Sequence, residues 1–431
     1  MKSKLMIIAI FGLWSLLIMA ALLRYTLSFD PFFGTARNVV NRYQVRGEIM
    51  DRYGKILAYG SPRKYPLGAA GSPVIGGVNT ETGSEGYIEQ KYAGQLTASK
   101  ISKLWYLLNQ SKEGYPLKTT LDRNLLLTAY KAMDSYNGSV VIMRLDGEVL
   151  VPISKPSYDP NKMTKKYYAE MTKSPDSPLF NRAFYGKYEP GSTWKTVIAL
   201  TLLEKNSQGR AITCNGSIKV GRKEIRCMSH HGLVRNMNDA FTKSCNIWFI
   251  ENALSELKPE ELRESFKKFM GREMKKDLGR EDIALAAIGQ GEVLVSPLEL
   301  ASLAASIGSK GMKPVPHLVK AKTEASRVMN EKVAERLSDM MTMVVKRGTA
   351  RGLSLYLERG FVAAKTGTAE RDTPKGKINT AVLIGLAGRT KNKPEIAFSV
   401  VIEDAHGYGG TVCVPVMKKI LDYYFSTRPK Q

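Results

Sequence analysis

Three short groups of residues stand in one order along this chain. Ser192 precedes Lys195 by three positions, Ser244 and Asn246 flank Cys245, and the run Lys365-Thr366-Gly367-Thr368 follows. Together they supply what acyl transfer through a hydroxyl requires. A serine hydroxyl is a poor nucleophile until a base takes its proton. A lysine amine can be that base only if its pKa falls, and burial against an apolar helix lowers it. A second lysine with two threonine hydroxyls can grip a carboxylate, and a glycine between them lets a ligand approach the strand closely.

Each group alone says little. The spacing of Ser192 and Lys195 recurs at Ser61/Lys64, Ser255/Lys258 and Ser265/Lys268, and that of Ser244 and Asn246 recurs at Ser135/Asn137. Context separates them. Pro190-Gly191 is a helix-start signal, and Thr193 to Leu203 is apolar and long enough for a buried helix. That places Ser192 at a helix N-terminus, where unpaired N–H groups and the dipole favour a developing oxyanion, with Lys195 on the same face. Ser61 lies in a basic loop. Ser255 and Ser265 lie among charges at helical spacing, which read as solvated faces.

The elements that must position these groups follow from patterning. Asp51-Arg52-Tyr53-Gly54 sits between short apolar runs and suggests two strands about a turn. A helical stretch is expected near Gln90 to Leu108. From Thr119 the character changes. A helix from Arg123 to Tyr136 leads into strands Ser139 to Arg144 and Val149 to Ser154, joined through Asp146-Gly147, a strong hairpin signal. The middle of the chain, to about Val345, reads as helical, with Ala284 to Ile307 interrupted by Gly289-Gln290-Gly291. Strands return at Val362 to Thr368, Ala381 to Ala387 and Ile396 to Glu403, with a charged loop from Glu370 to Lys377. A last helix runs from about Val414 to Phe425. Hairpin strands on both sides of a helical block predict an α+β fold, one antiparallel sheet covered by helices. The expected organisation is a tail and anchor over 1–24, a linker and small N-terminal module over 25–117, and a catalytic domain over 118–431.

The net charge of +24, from 64 Lys and Arg against 40 Asp and Glu, first suggests nucleic acid. The N-terminus argues otherwise. Leu5 to Leu23 is an uncharged apolar run that would span roughly 28 Å as a helix, about one hydrocarbon core. It is longer than the usual signal-peptide core, and Met19-Ala20-Ala21-Leu22 is a poor cleavage site, so an uncleaved anchor is expected. The basic charge of an exported body would then face membrane and wall anions, with no nucleic-acid partner. Of the four cysteines, Cys214 and Cys227 bound a hairpin-like stretch and could be bridged in an oxidising exterior or remain free. No C-x-x-C or histidine cluster has zinc spacing, and His230-His231 beside Cys227 is the nearest approach. No metal or other cofactor is expected.

The order S-x-x-K, S-x-N, K-T-G is the signature shared by penicillin-binding proteins and class A β-lactamases. The chain resembles a class B penicillin-binding protein from the anchor to the last helix. Arg46 to Gly54, Thr120-Leu121-Asp122, Lys155 to Asn161, Asn181-Arg182-Ala183, Gly289 to Glu292 with Ser296-Pro297-Leu298, and Arg347 to Ala350 look like landmarks of that family. The Arg46 to Gly54 stretch looks like one that β-lactamases lack. The resemblance implies the penicillin-binding transpeptidase fold and a peptidoglycan D,D-transpeptidase. It implies Ser192 as nucleophile, Lys195 as base, Ser244 as proton relay, Asn246 as a steadying ligand of Lys195 and substrate, and Lys365, Thr366, Gly367 and Thr368 as the carboxylate wall. The substrates implied are D-Ala-D-Ala stem peptides, with β-lactams as inhibitors. A multi-span polymerase of lipid-linked glycan is the implied membrane partner, and the cell membrane the location, with the catalytic body outside. Ala364 stands where a glycine is frequent, the N-terminal module is short, and no further wall-binding module is expected. A β-lactamase would need a deacylating base for which no local motif appears. A sensor would be expected to carry several spans.

Overall fold

The structure, a computed structural model, describes residues 46–78, 86–97, 114–373, 376–390 and 392–427. The expected anchor and linker, and residues 98–108 of the expected helical stretch, lie outside these. Among the described residues no helix is long and apolar enough to cross a membrane.

Five strands form the central sheet: β1 (Gly138–Arg144), β2 (Val149–Lys155), β3 (Phe361–Thr373), β4 (Gly376–Gly388) and β5 (Ile396–Ala405). Their order is β3-β4-β5-β1-β2, antiparallel throughout. β1 and β5 are buried along nearly their whole length. Strands covered on both faces read as continuous apolar runs, and these do. Seven helices matter for the site: α1 (Arg123–Ala132), α2 (Lys195–Glu204), α3 (Met237–Lys243), α4 (Asn246–Glu256), α5 (Pro297–Gly308), α6 (Glu331–Arg347) and α7 (Gly409–Ser426). α5 packs on β5, β1 and β4, while α1 and α7 pack on each other and on the sheet. α6 lies against β3.

The helices begin where the sequence stops them. Asp122 Oδ1 accepts from Leu125 N–H (3.1 Å) and Asn330 Oδ1 from Val333 N–H (2.9 Å). Ser296 and Glu299 cap α5 reciprocally, Ser296 Oγ accepting from Glu299 N–H (3.2 Å) and Glu299 Oε2 from Ser296 N–H (2.7 Å), with Pro297 in the first turn. Each cap is worth about 1 kcal/mol.

Two differences from the sequence reading concern the sheet and its last helix. The stretch Glu370 to Lys377 is not a loop of its own: β3 and β4 stay paired through Thr373 opposite Gly376. Ladder pairing satisfies the backbone whatever the side-chain polarity, so charged residues gave no alternation to read. α7 also starts earlier than expected, at Gly409, and carries Pro415 inside it.

Ahead of the sheet, Ile49–Met50 pairs antiparallel with Ile56–Ala58 and parallel with Leu117–Lys118. Asp51 Oδ1 accepts from Tyr53 and Lys55 N–H, both at 2.8 Å, and closes the turn. Arg46 and Arg63 converge on buried Glu89, Nε to Oε2 at 3.0 Å and Nε to Oε1 at 2.8 Å. Asn161 Oδ1 accepts from Tyr65 N–H (2.9 Å), joining this region to the body. The apolar core is continuous from Ile49 to Phe425.

Candidate active site

Ser192 sits in a 3-10 turn, Gly191–Thr193, that feeds α2. The sequence placed it at the helix terminus itself, and the extra tight turn arises at Gly191. Its φ of +53° falls where L side chains are rarely found. A methyl at Gly191 would lie 2.4 Å from the Thr368 carbonyl oxygen and 2.9 Å from the Thr368 nitrogen. The turn and β3 are therefore in backbone contact. Gly289 closes the other side, its carbonyl accepting from Gly191 N–H at 2.9 Å. Glu189 Oε1 accepts from Gly291 N–H at 2.7 Å. The Ser192 hydroxyl has no hydrogen-bond partner among the described residues and is half-buried. α2 is buried from Lys195 to Leu202, which is why its sequence shows no polar face.

Lys195 is fully buried. Its Nζ donates to Asn246 Oδ1 (2.6 Å) and Ser244 O (2.7 Å), with Ser244 Oγ at 3.4 Å. Lys365, equally buried, donates from Nζ to Ser244 Oγ (2.8 Å) and Thr366 O (3.0 Å). The Ser244 hydroxyl thus stands between two amines brought from opposite walls. Aromatic rings back both, Phe249 at 5.5 Å from Lys195 Nζ and Phe241 at 5.6 Å from Lys365 Nζ. Burial pushes the Lys195 amine down from its ordinary value to about 8, against a smaller upward pull from the Cys227, Cys245 and Cys214 sulfurs. Burial drives Lys365 well below its ordinary value, and the nearby Lys195 charge adds to that.

Ser244 ends α3 in the left-handed region, φ 57° and ψ 38°, and Asn246 opens α4 two residues later. A serine there is uncommon and the strain is on the order of 1–3 kcal/mol. It makes a two-helix junction tight enough to aim Ser244 and Asn246 at the same amine. Asn246 Nδ2 donates to Arg226 O (2.7 Å), which fixes its amide orientation.

On β3, Thr366 Oγ1 hydrogen-bonds Thr349 Oγ1, and Thr368 Oγ1 accepts from Gly409 N–H at 3.2 Å. Gly367 faces inward. A methyl there would lie 2.4 Å from Pro190 O and 3.0 Å from Thr193 N. Its smallness admits the turn that carries Ser192, whereas the sequence assigns it to the ligand. β3 is an edge strand, so one row of its backbone groups is unpaired with the sheet. Beyond Thr368, Tyr188, Glu189, Ala369, Glu370 and Glu403 line a cleft of about 630 Å³. All eight residues singled out in the sequence thus gather at one place.

The sequence did not reveal the brace behind this cleft. Arg182 Nε donates to both Glu403 carboxylate oxygens at 3.0 Å, and Tyr188 Oη donates to Glu403 Oε1 at 2.5 Å. The signal was Arg182 within Asn181-Arg182-Ala183, but its partner is more than 200 residues away. The sequence leaves the bridging of Cys214 and Cys227 open and shows no zinc-like spacing. Cys214 and Cys227 are free thiols in the structure. And a cysteine-histidine cluster does form: the sulfurs of Cys214, Cys227 and Cys245 and a ring nitrogen of His231 lie within 4.8 Å of one another. Cys227 Sγ accepts from Asn246 N–H (3.2 Å), and its pKa is held low by the Cys245 thiol and by that N–H.

A buried lysine pair meeting at a serine hydroxyl, beside an unpartnered serine on a tight turn, defines a serine acyl-transfer site on an antiparallel sheet. The penicillin binding protein transpeptidase domain family matches residues 138–422, more than half of the chain. The chain is 27% identical over 377 residues to peptidoglycan D,D-transpeptidase MrdA of Acinetobacter baumannii, covering 74% of this chain and 55% of that one. It is 25% identical over 434 residues to peptidoglycan D,D-transpeptidase PbpA of Mycolicibacterium smegmatis, covering 84% and 86%. The ceftriaxone acyl-enzyme complex of penicillin-binding protein A from M. tuberculosis superposes with a TM-score of 0.79, over 89% of this chain and 98% of that one, at 23% identity. That likeness shows the fold. The chain belongs to the penicillin-binding protein transpeptidase family, in its class B branch.

Proposed function

We propose that this protein cross-links peptidoglycan as a D,D-transpeptidase, through an acyl-enzyme on Ser192. The observation that carries this reading is the fully buried Lys195 amine, lowered toward neutrality and held by Ser244 O and Asn246 Oδ1. Ser192 Oγ attacks the carbonyl between the last two D-alanines of a stem peptide while neutral Lys195 takes the hydroxyl proton. Backbone N–H groups of Ser192 and Thr368 hold the oxyanion. Their segments already touch at Gly191. As the C–N bond breaks, Ser244 passes the proton from Lys195 to the departing D-alanine amine. An amine of a neighbouring stem then attacks the ester, forming the cross-link and freeing Ser192. β-Lactams enter as analogues of the same amide and stop at the ester.

Lys365, Thr366 and Thr368 receive the substrate carboxylate. Burial disfavours charge on Lys365. The arriving anion offsets that cost, so donor binding and Lys365 protonation go together. The reading also includes the organisation expected from sequence: an anchor within 1–24, an N-terminal module over 25–117, and the catalytic domain from 118. Through the first two, the chain would sit in the cell membrane as a single-pass protein and meet a multi-span glycan polymerase.

The test is labelling of the full chain with a fluorescent penicillin, followed by a denaturing gel. Lasting label on the wild type and none on Ser192→Ala is expected. Label that disappears within seconds would mean a hydrolase, and equal label on the variant would remove Ser192 from the role of nucleophile.

A further inference from the structure

Directly behind the Ser244–Asn246 junction lie four groups that the acyl-transfer chemistry leaves unused. We propose that Cys214, Cys227, His231 and Cys245 form a zinc(II) site, which fastens the hairpins of residues 212–234 to that junction.

The geometry is that of a four-coordinate centre. Zinc takes sulfur at about 2.3 Å and imidazole nitrogen at about 2.0–2.1 Å, so tetrahedral angles place sulfurs about 3.8 Å apart and sulfur about 3.6 Å from nitrogen. His231 Nδ1 lies 3.6 Å from Cys214 Sγ and 3.4 Å from Cys227 Sγ, and Cys227 Sγ lies 4.0 Å from Cys245 Sγ. Two of the ligand set are buried and two half-buried, as befits a closed structural centre without a water position. Three thiolates with one imidazole suit zinc among the divalent metals. Backbone donors already point at the sulfurs, Asn246 N–H to Cys227 (3.2 Å) and Trp248 N–H to Cys245 (3.5 Å), the outer contacts that orient thiolate ligands.

A second observation is independent of these distances. Three of the ligands, Cys214, Cys227 and His231, lie in or beside two nested hairpins, Ile212–Cys214 with Gly232–Val234 and Ser217–Val220 with Lys223–Arg226. Strands of three or four residues with mostly exposed side chains cannot hold themselves together, and such elements need a staple. Cys245 is also the N-cap of α4, between Ser244 and Asn246. Metal at Cys245 therefore fixes the backbone from which both catalytic neighbours project.

The experiment uses the full chain, purified without a histidine tag or chelator. Elemental analysis of the wild type should find one zinc per chain. Cobalt(II) replacing it should show the thiolate charge-transfer and strong visible bands of a tetrahedral site. Cys214→Ser and His231→Ala should lose that signature. Because those variants could fail to fold, the wild type is also stripped with a chelator. Stripping should lower the thermal midpoint and slow fluorescent-penicillin acylation at least several-fold, and zinc should restore both where magnesium does not. A chain that holds no zinc and gives no thiolate-cobalt bands overturns the proposal. So does an intact mass two hydrogens light, showing a bridge. Acylation unchanged by stripping overturns the fastening of the junction.

Discussion

The two walls of the site reach the same oxygen by different means. The helical wall, α2 with the α3–α4 junction, aims buried polar side chains: Lys195 is held by Ser244 O and Asn246 Oδ1, and Asn246 by Arg226 O. The strand wall, β3, is placed by its backbone and reaches out with Lys365: register with β4 fixes it on one side, on the other Gly367 and Gly191 let it touch the Ser192 turn, and Lys365 Nζ donates to Ser244 Oγ. The helical wall is sensitive to what a side chain can donate or accept. The strand wall is sensitive to volume. Under the proposed function, a site built this way separates proton transfer, assigned to the first wall, from gripping of the substrate, assigned to the second.

That contrast can be broken at its strongest point by Lys195→Met, which removes the proposed base and keeps an apolar filling. The penicillin acylation rate should fall by about 10²–10⁴-fold, the range of general-base contributions. The thermal midpoint should hold or rise, since a buried amine is replaced by a thioether. A falling midpoint with a preserved rate would reverse the roles given to this wall.

Volume is tested by Gly191→Ala. The methyl meets the Thr368 carbonyl at 2.4 Å and φ is +53°, so the turn and β3 must part. Stability should drop by at least about 1–3 kcal/mol and acylation should slow by more than tenfold. Gly54→Ala is the control. Its φ is +85° but nothing lies within 4 Å of the added methyl. It should cost about 1 kcal/mol in the melting curve and leave acylation unchanged.

A pH profile sharpens the first wall. Burial lowers Lys195 to about 8, so raising the pH through that value removes its proton and supplies the base. The acylation rate constant should climb about tenfold per pH unit below 8 and level off above it. A rate flat through this range would exclude Lys195 as the titrating base. The smallest effect is expected from Thr349→Val, which removes the hydroxyl partner of Thr366. A lost hydrogen bond of about 1 kcal/mol predicts several-fold weaker acylation by carboxylate-bearing β-lactams, with the midpoint little changed.

The chemistry was legible because it resides in residue types at short spacings. Ser192 with Lys195, Ser244 with Asn246, and Lys365 to Thr368 each read as local groups, and their order joined them. The hairpin at Asp146-Gly147 and the buried strands also announced themselves through turn chemistry and apolar runs. What could not be read was whatever depends on approach between distant segments. Gly191, Gly289 and Gly367 interlock three segments, yet a glycine's neighbours are not written beside it. The left-handed Ser244 is strained by its tertiary setting, against its own preference. The Cys/His cluster has ligands 13, 4 and 14 positions apart (214, 227, 231, 245), a pattern without the tight pairs that mark zinc sites in sequence. The bridging of Cys214 and Cys227 was left open, and proximity to Cys245 and His231 gives both sulfurs other partners.

The strand order has a consequence in time. β5 lies at the middle of the sheet between β1 and β4, and its register with β1 joins residues 138–144 to 396–402. Loop closure over such a distance is an entropic cost met only when nearly the whole chain is present. A nascent chain lacking β5 has two separated hairpin edges and no place for Lys365 to meet Ser244. Competence to form an ester therefore arrives late, after synthesis has passed the last strand. Truncation anywhere before residue 405 should yield inert and aggregation-prone material, with no weaker catalyst among the shorter products.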